Sequence, residues 1–180
     1  MKVKETAFKG LFIVEPSVFE DKRGYFFESY NKDLFKEHGL SGDFVQDNQS
    51  MSGAYVLRGL HFQLPPWQQG KLVRVMAGSV LDVVVDLRKQ EPTFGQNFPI
   101  QLDAKQKKML WIPPGFAHGF LTLEENTVFF YKCTQFYNKQ SEDAILWNDP
   151  DLNIDWGVKD PLVSDKDRVA PLFKDFNSPF

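Results

Sequence analysis

The feature that most constrains this chain is the shortness of its apolar runs. Hydrophobic residues come in stretches of about four to eight, often alternating with polar ones, and Gly, Pro, Asp or Asn closes most stretches. A period of two sends successive side chains to opposite faces of an extended backbone. Turn residues at such close intervals are the pattern of an antiparallel sandwich or barrel. Strands are predicted over residues 8–14, 24–30, 44–51, 55–63, 71–77, 80–87, 97–102, 108–112, 118–124 and 127–136. One helix is predicted early: Asn31 can cap it, Leu34 and Phe35 supply an apolar face, and Gly39 stops it. The tail beyond Asp149 is rich in Asp and Pro and is expected to wrap the barrel in turns and short helices. No repeat or linker divides the 180 residues, so one all-β domain over 1–180 is expected.

Alternation also sorts side chains by face. Lys71, Val73 and Val75 share one; Val80, Asp82, Val84 and Asp86 share another, with Leu81, Val83, Val85 and Leu87 behind them. Thr127, Phe129, Tyr131, Cys133 and Gln135 share a third. Charged residues alternating with Val in a barrel strand face solvent or a wet cavity, and a cavity open to ligand is the functional alternative.

Composition excludes several classes. A net charge of −3 offers no basic surface for a nucleic-acid polymer, although a nucleotide needs only a few local cations. The single cysteine, Cys133, rules out an intramolecular disulfide and fits a reducing compartment. The apolar run ending at Val14 is too short for a secretory signal or a membrane span, so a cytoplasmic, soluble protein is expected. The 18 phenylalanines suit a thick core first and a ring-stacking pocket second.

Histidine is scarce. His38 falls at the predicted helix end, where a cation favours the dipole. His61 lies in VLRGLHFQLPP; alternation sets Arg58 and His61 on opposite faces, unless Gly59 hosts a bulge that turns both inward. His118 lies in WIPPGFAHGF, whose Pro113-x-Gly115-x-x-His118 spacing matches the second motif of the cupin superfamily. Where metal-binding cupins usually carry a His-x-His pair, this chain reads His61-Phe62-Gln63. The pattern favours a metal-free site in which side chains transfer protons. A mixed His/carboxylate site remains the alternative. No Walker loop, dinucleotide-binding glycine pattern or Gly-x-Ser-x-Gly elbow is present, and mid-strand Cys133 reads as core or cavity lining.

Taken together, DKRGYFFESY, FVQDNQS, VLRGLHFQ, GKLVRVMAGSVLDVVVDLRKQEPTFG, LWIPPGFAHGFLTL and SDKD resemble the dTDP-4-dehydrorhamnose 3,5-epimerase family across almost the whole chain. The resemblance implies a cupin-type double-stranded β-helix, or jelly-roll barrel, with a few short helices. It implies a homodimer, no metal, no cofactor, and a dTDP-linked 4-keto-6-deoxyhexose as substrate. By residue it implies His61 as base, Tyr131 as acid and Asp167 as the carboxylate behind the base, with Lys71 also catalytic. Arg23, Glu28, Gln46, Asn48, Arg58, Lys71, His118, Glu142 and Lys166 fall on its substrate-binding positions. Residue by residue, blander readings stand beside these: Arg23 and Glu28 flank a hairpin, Glu142 is a solvated turn residue, and Ser164-x-x-Asp167 is a helix capping box. Asp82 competes with Asp167 as partner of His61.

The residue types suit the chemistry. A proton beside a ketone is acidified because its electrons spread onto the carbonyl oxygen. Removing it needs a base near neutral pKa, positive charge at that oxygen, and an acid on the far face. An ordinary imidazole, with pKa about 6.5, fits the first role, Lys71 the second and Tyr131 the third. Arg23 and Arg58 suit a diphosphate, whose oxygens match a planar guanidinium. The competing expectations are a single-centre epimerase on a related nucleotide sugar, a non-catalytic ligand-binding cupin, and a metal-dependent cupin oxygenase or isomerase.

Overall fold

A computed structural model describes residues 1–40 and 42–180. Two sheets face each other. The first has the order β1 (Lys2–Glu5), β2 (Phe12–Glu15), β10 (Met109–Ile112), β7 (Lys71–Ala77), β12 (Thr127–Cys133), β5 (Gln46–Ser52). The second has the order β13 (Glu142–Ala144), β6 (Val56–Gln63), β11 (Phe116–Thr122), β8 (Ser79–Asp86), β9 (Asn97–Asp103), with the two-residue strand β14 (Leu162–Val163) laid parallel to β6. A separate hairpin joins β3 (Val18–Asp21) to β4 (Gly24–Phe27). This is the jelly-roll barrel of the cupins. Among the described residues no helix is long and apolar enough to cross a membrane.

The inward faces of both sheets meet in one core, where Val73, Val75 and Phe129 pack against Val80, Val84 and Phe120. The Phe120 and Phe129 rings stack across the gap with centroids 4.0 Å apart. Burying a side chain of that size is worth about 1.5–3 kcal/mol. The second sheet is buried on its outer face too. Leu57, Leu60, Phe62, Val83, Val85 and Leu121 lie there under the tail, which contributes Leu152, Trp156, Val163, Phe173 and Phe176. Asp149 pins this tail, accepting from the backbone N–H groups of Asp151, Leu152 and Phe173.

Helix α1 (Lys32–Glu37) is capped by Asn31, whose side chain accepts from Leu34 N at 3.1 Å; Gly39 ends it at φ +76°. Phe35 packs fully under the first sheet beside Leu72 and Trp111, while Leu34 is only half-buried. Several strands differ from the sequence reading. The first predicted strand begins only at Phe12, because Gly10 at φ +79° turns the chain before it. The strand predicted from 118 starts at Phe116, directly after the turn at Gly115. Strands β1, β3, β13 and β14 were not predicted. They are short, and their partners rather than their own patterns define them.

One local distortion positions the site. His61 pairs with His118 and Arg58 with Phe120, so β6 spends one more residue than β11 over that interval. Gly59, at φ +136°, absorbs the bulge, and a Cβ placed there would lie 2.5 Å from Gly119 Cα. By contrast, nothing lies within 4 Å of a Cβ at Gly39. Gly59→Ala is therefore expected to lower stability by about 3 kcal/mol or to prevent folding, whereas Gly39→Ala is expected to cost about 1 kcal/mol. Urea unfolding of the two variants checks this, and equal losses would mean that the backbone at Gly59 yields easily.

Candidate active site

A cavity of about 660 Å³ opens between the sheets. Its walls include His61 and Arg58 from β6, Lys71 from β7, His118 from β11, Tyr131 from β12 and Asn48 from β5. The late chain contributes Glu142, Lys166 and Asp167. The bulge at Gly59 turns both Arg58 and His61 to this side of the sheet. His61 and Tyr131 belong to opposite sheets, so imidazole and phenol stand on facing walls.

His61 Nε2 lies 2.7 Å from Asp167 Oδ1, and the other Asp167 oxygen accepts from Gly59 N at 3.3 Å. Asp167 is the third residue of the one-turn helix α2 (Asp165–Arg168), and its own N–H is capped by Ser164 Oγ at 3.1 Å. The two readings of Ser164-x-x-Asp167 thus coexist: the backbone makes the cap and the side chain reaches the histidine. Burial opposes ionisation of Asp167, but the contact with His61 and the Gly59 N–H bring its pKa below the ordinary carboxylate value. With Nε2–H donated to Asp167, the nitrogen of His61 free to take a proton is Nδ1.

Asp82, the competing partner, is bonded instead to His118, with Nε2 2.9 Å from Oδ2. Burial pushes the His118 imidazole below its ordinary pKa, Lys71 and His61 add to this, and Asp82 pulls the other way. Burial likewise lowers Lys71 and raises the phenol of Tyr131 to about 12. Arg58 is bonded only to Ser52 Oγ and has no carboxylate partner among the described residues, which leaves most of its donors for a ligand. At the rim Lys166 pairs with Glu142 at 2.6 Å, and Tyr137 O–H donates to the same Glu142 oxygen.

Not every residue assigned from the sequence reaches this cavity. Arg23 sits in the exposed β3–β4 hairpin and pairs with Asp21, and Glu28, just past β4, does not line the pocket either. The hairpin projects from the barrel and carries both away from their own chain's cavity. Gln46 stands one step outside: its amide donates to Asn48 Oδ1 at 3.0 Å, and its carbonyl accepts from Tyr137 N. Tyr137 was not singled out in the sequence, although it continues the period-two series through Tyr131, Cys133 and Gln135. Among the described residues no group of three His, Cys, Asp or Glu side chains could hold a metal ion.

The chain matches the family model for dTDP-4-dehydrorhamnose 3,5-epimerase over residues 5–175. It is 51% identical over 176 residues to the dTDP-4-dehydrorhamnose 3,5-epimerase of Shigella flexneri, covering 97% of each chain. The crystal structure of the Elizabethkingia anophelis enzyme of that name is 50% identical, with a TM-score of 0.93 and 97% of each chain covered. The Legionella pneumophila dTDP-6-deoxy-D-glucose-3,5-epimerase, solved in complex with dTDP-4-keto-L-rhamnose, superposes with a TM-score of 0.93 at 44% identity, covering 98% of this chain and 94% of the other.

The depressed pKa of Asp167 has a testable sign. Its contribution to stability is full above the unfolded value near 3.8 and is lost as pH falls through the lower folded value. The difference in urea midpoint between wild type and Asp167→Asn is expected to hold from pH 7 to about 4 and to shrink below that. A difference that grows on acidification would contradict an ionised, partnered Asp167.

Proposed function

Since the chain belongs to the dTDP-4-dehydrorhamnose 3,5-epimerase family, and is therefore an isomerase, we propose that its cavity binds a dTDP-linked 4-keto-6-deoxyhexose and inverts the two carbons flanking the ketone. The observation that carries the mechanism is the held imidazole of His61 on one wall with the phenol of Tyr131 on the facing wall. His61 Nδ1 takes the proton beside the ketone, and the C–H electrons move onto the ketone oxygen. Lys71 meets the resulting enolate with its ammonium. Asp167 stabilises the imidazolium. Tyr131, whose raised pKa keeps it protonated, gives its proton to the opposite face of the carbon. Proton transfer back from the imidazolium through solvent resets both groups, so the balance is an isomerisation. The free donors of Arg58, with Lys166, suit the diphosphate. The aromatic face of Tyr137 at the rim suits the nucleobase.

Arg23 and Glu28 fit this function only in an assembly. The hairpin that bears them exposes Phe19, Tyr25 and Phe26, each more than half accessible. Exposed apolar rings grouped on one projection support docking onto a second copy. In a two-fold dimer the hairpin of one protomer would reach the cavity of its partner.

In deuterated water, wild-type protein with dTDP-4-keto-6-deoxyglucose should place deuterium at both carbons beside the ketone, read by NMR. His61→Asn should lower turnover by about 10²–10⁴-fold. Tyr131→Phe should exchange deuterium into recovered substrate faster than it forms inverted product, because the imidazolium can return a proton to the face it left. If exchange and inversion fell together in Tyr131→Phe, the far-face role of the phenol would be wrong. Light scattering should also give about twice the 20.8 kDa chain mass, and Phe26→Asp should shift it toward one. A monomeric wild type would remove the assembly role of the hairpin.

A further inference from the structure

Asp82 is a fully buried carboxylate that stands behind the cavity-lining His118, and the mechanism above leaves it without a task. It projects inward from β8, and none of its surface is exposed. Its Oδ2 accepts from His118, while its Oδ1 is buried with no hydrogen-bond partner among the described residues. A buried carboxylate oxygen with no partner is costly to keep, so its surroundings must offer it something.

Lys71 lines the cavity from the facing sheet, and it too is unpaired: no carboxylate forms an ion pair with it among the described residues. The charged and titratable groups around Lys71 can be taken strand by strand. Strand β10 brings none. Strand β12 brings Cys133, whose thiol burial raises above its ordinary value and keeps protonated near neutral pH, and Tyr131, likewise protonated. Strand β13 brings Glu142, already matched by Lys166. Strand β6 brings His61 and Arg58 and strand β11 brings His118, none of them an anion, and the late chain brings Asp167, already bonded to His61. Strand β8 brings Asp82, and its field acts on Lys71.

We propose that Asp82 is a positioning residue for the reaction: one carboxylate oxygen fixes the ring of His118, and the charge on the other acts through space to keep Lys71 the ammonium that receives the enolate's charge. The two tasks support each other. His118, neutral and donating Nε2–H to Asp82, presents Nδ1 as an acceptor, which suits a sugar hydroxyl. Because His118 adds no positive charge, the whole negative charge of Asp82 remains for Lys71. Burial works against that ammonium, so without Asp82 it would lose its proton at a lower pH.

This rests on the epimerase reading, and the test separates the two. Turnover of wild type and the isosteric Asp82→Asn is followed from pH 6 to 10. Asp82→Asn is expected to lower kcat about 10²-fold while KM stays within about threefold. The alkaline limb of its kcat profile should move down by about one pH unit. Deuterium exchange should fall in step with inversion, since enolate formation itself is impaired. A wild type that does not epimerise would overturn the epimerase reading. An active wild type with an unmoved alkaline limb in Asp82→Asn overturns the role of Asp82, whatever the loss in kcat. Should Asp82→Asn fail to fold, 15N NMR of the wild-type Lys71 Nζ, assigned with Lys71→Arg, decides. An ammonium signal near pH 8 is expected, and a neutral amine at pH 7 overturns the proposal.

Discussion

The second sheet is buried on both faces, and much of the molecule follows from covering it. Strand β11 is buried at every position and β8 at all but one. The inner face finds its cover in the opposing sheet. The outer face has only the chain beyond β12 to cover it, and the tail does so with Leu152, Trp156, Val163 and Phe173. Hydrophobic docking of this kind is strong but indifferent to chemistry. Here it lays β14 beside β6 and starts α2 at the cavity rim, which delivers Asp167 to the imidazole of His61 and Lys166 to Glu142.

The inner face is where charge is tolerated, each time with a specific partner. Asp86 is buried against Arg88 and Thr93, a closed group at one end of the barrel that leaves nothing over for a ligand. Asp82, two turns of the pleat away on the same face, is satisfied on one oxygen only. The contrast separates a carboxylate whose hydrogen bonds are complete from one with an oxygen to spare, although both sit in one alternating Val-Asp strand.

Period two carried the long strands and the inward placement of Lys71, Asp82 and Tyr131, because each of those strands has one polar and one apolar requirement along its length. The bulge was legible for a different reason: a glycine between two residues that chemistry wants on one side. Short edge strands such as β13 and β14 were not legible, since three or two residues carry no period and exist as strands only against β6. Which aspartate serves which histidine was also beyond the local pattern. Asp82 stands opposite Phe120 in the ladder and reaches His118 diagonally, a register set by the fold. The same holds for Arg23 and Glu28, whose position depends on where a projecting hairpin finds its contacts.

The late arrival of Asp167 has a consequence for synthesis. The barrel strands that supply His61, Lys71, His118 and Tyr131 all precede residue 134, while the carboxylate behind His61 comes more than a hundred residues after that histidine. A chain emerging from the ribosome presents all four of those side chains before the partner of His61 has been made. The imidazole gains its carboxylate only with docking of the tail, so that loss of a C-terminal stretch by premature termination or proteolysis would strip His61 of its partner and the second sheet of its outer cover together.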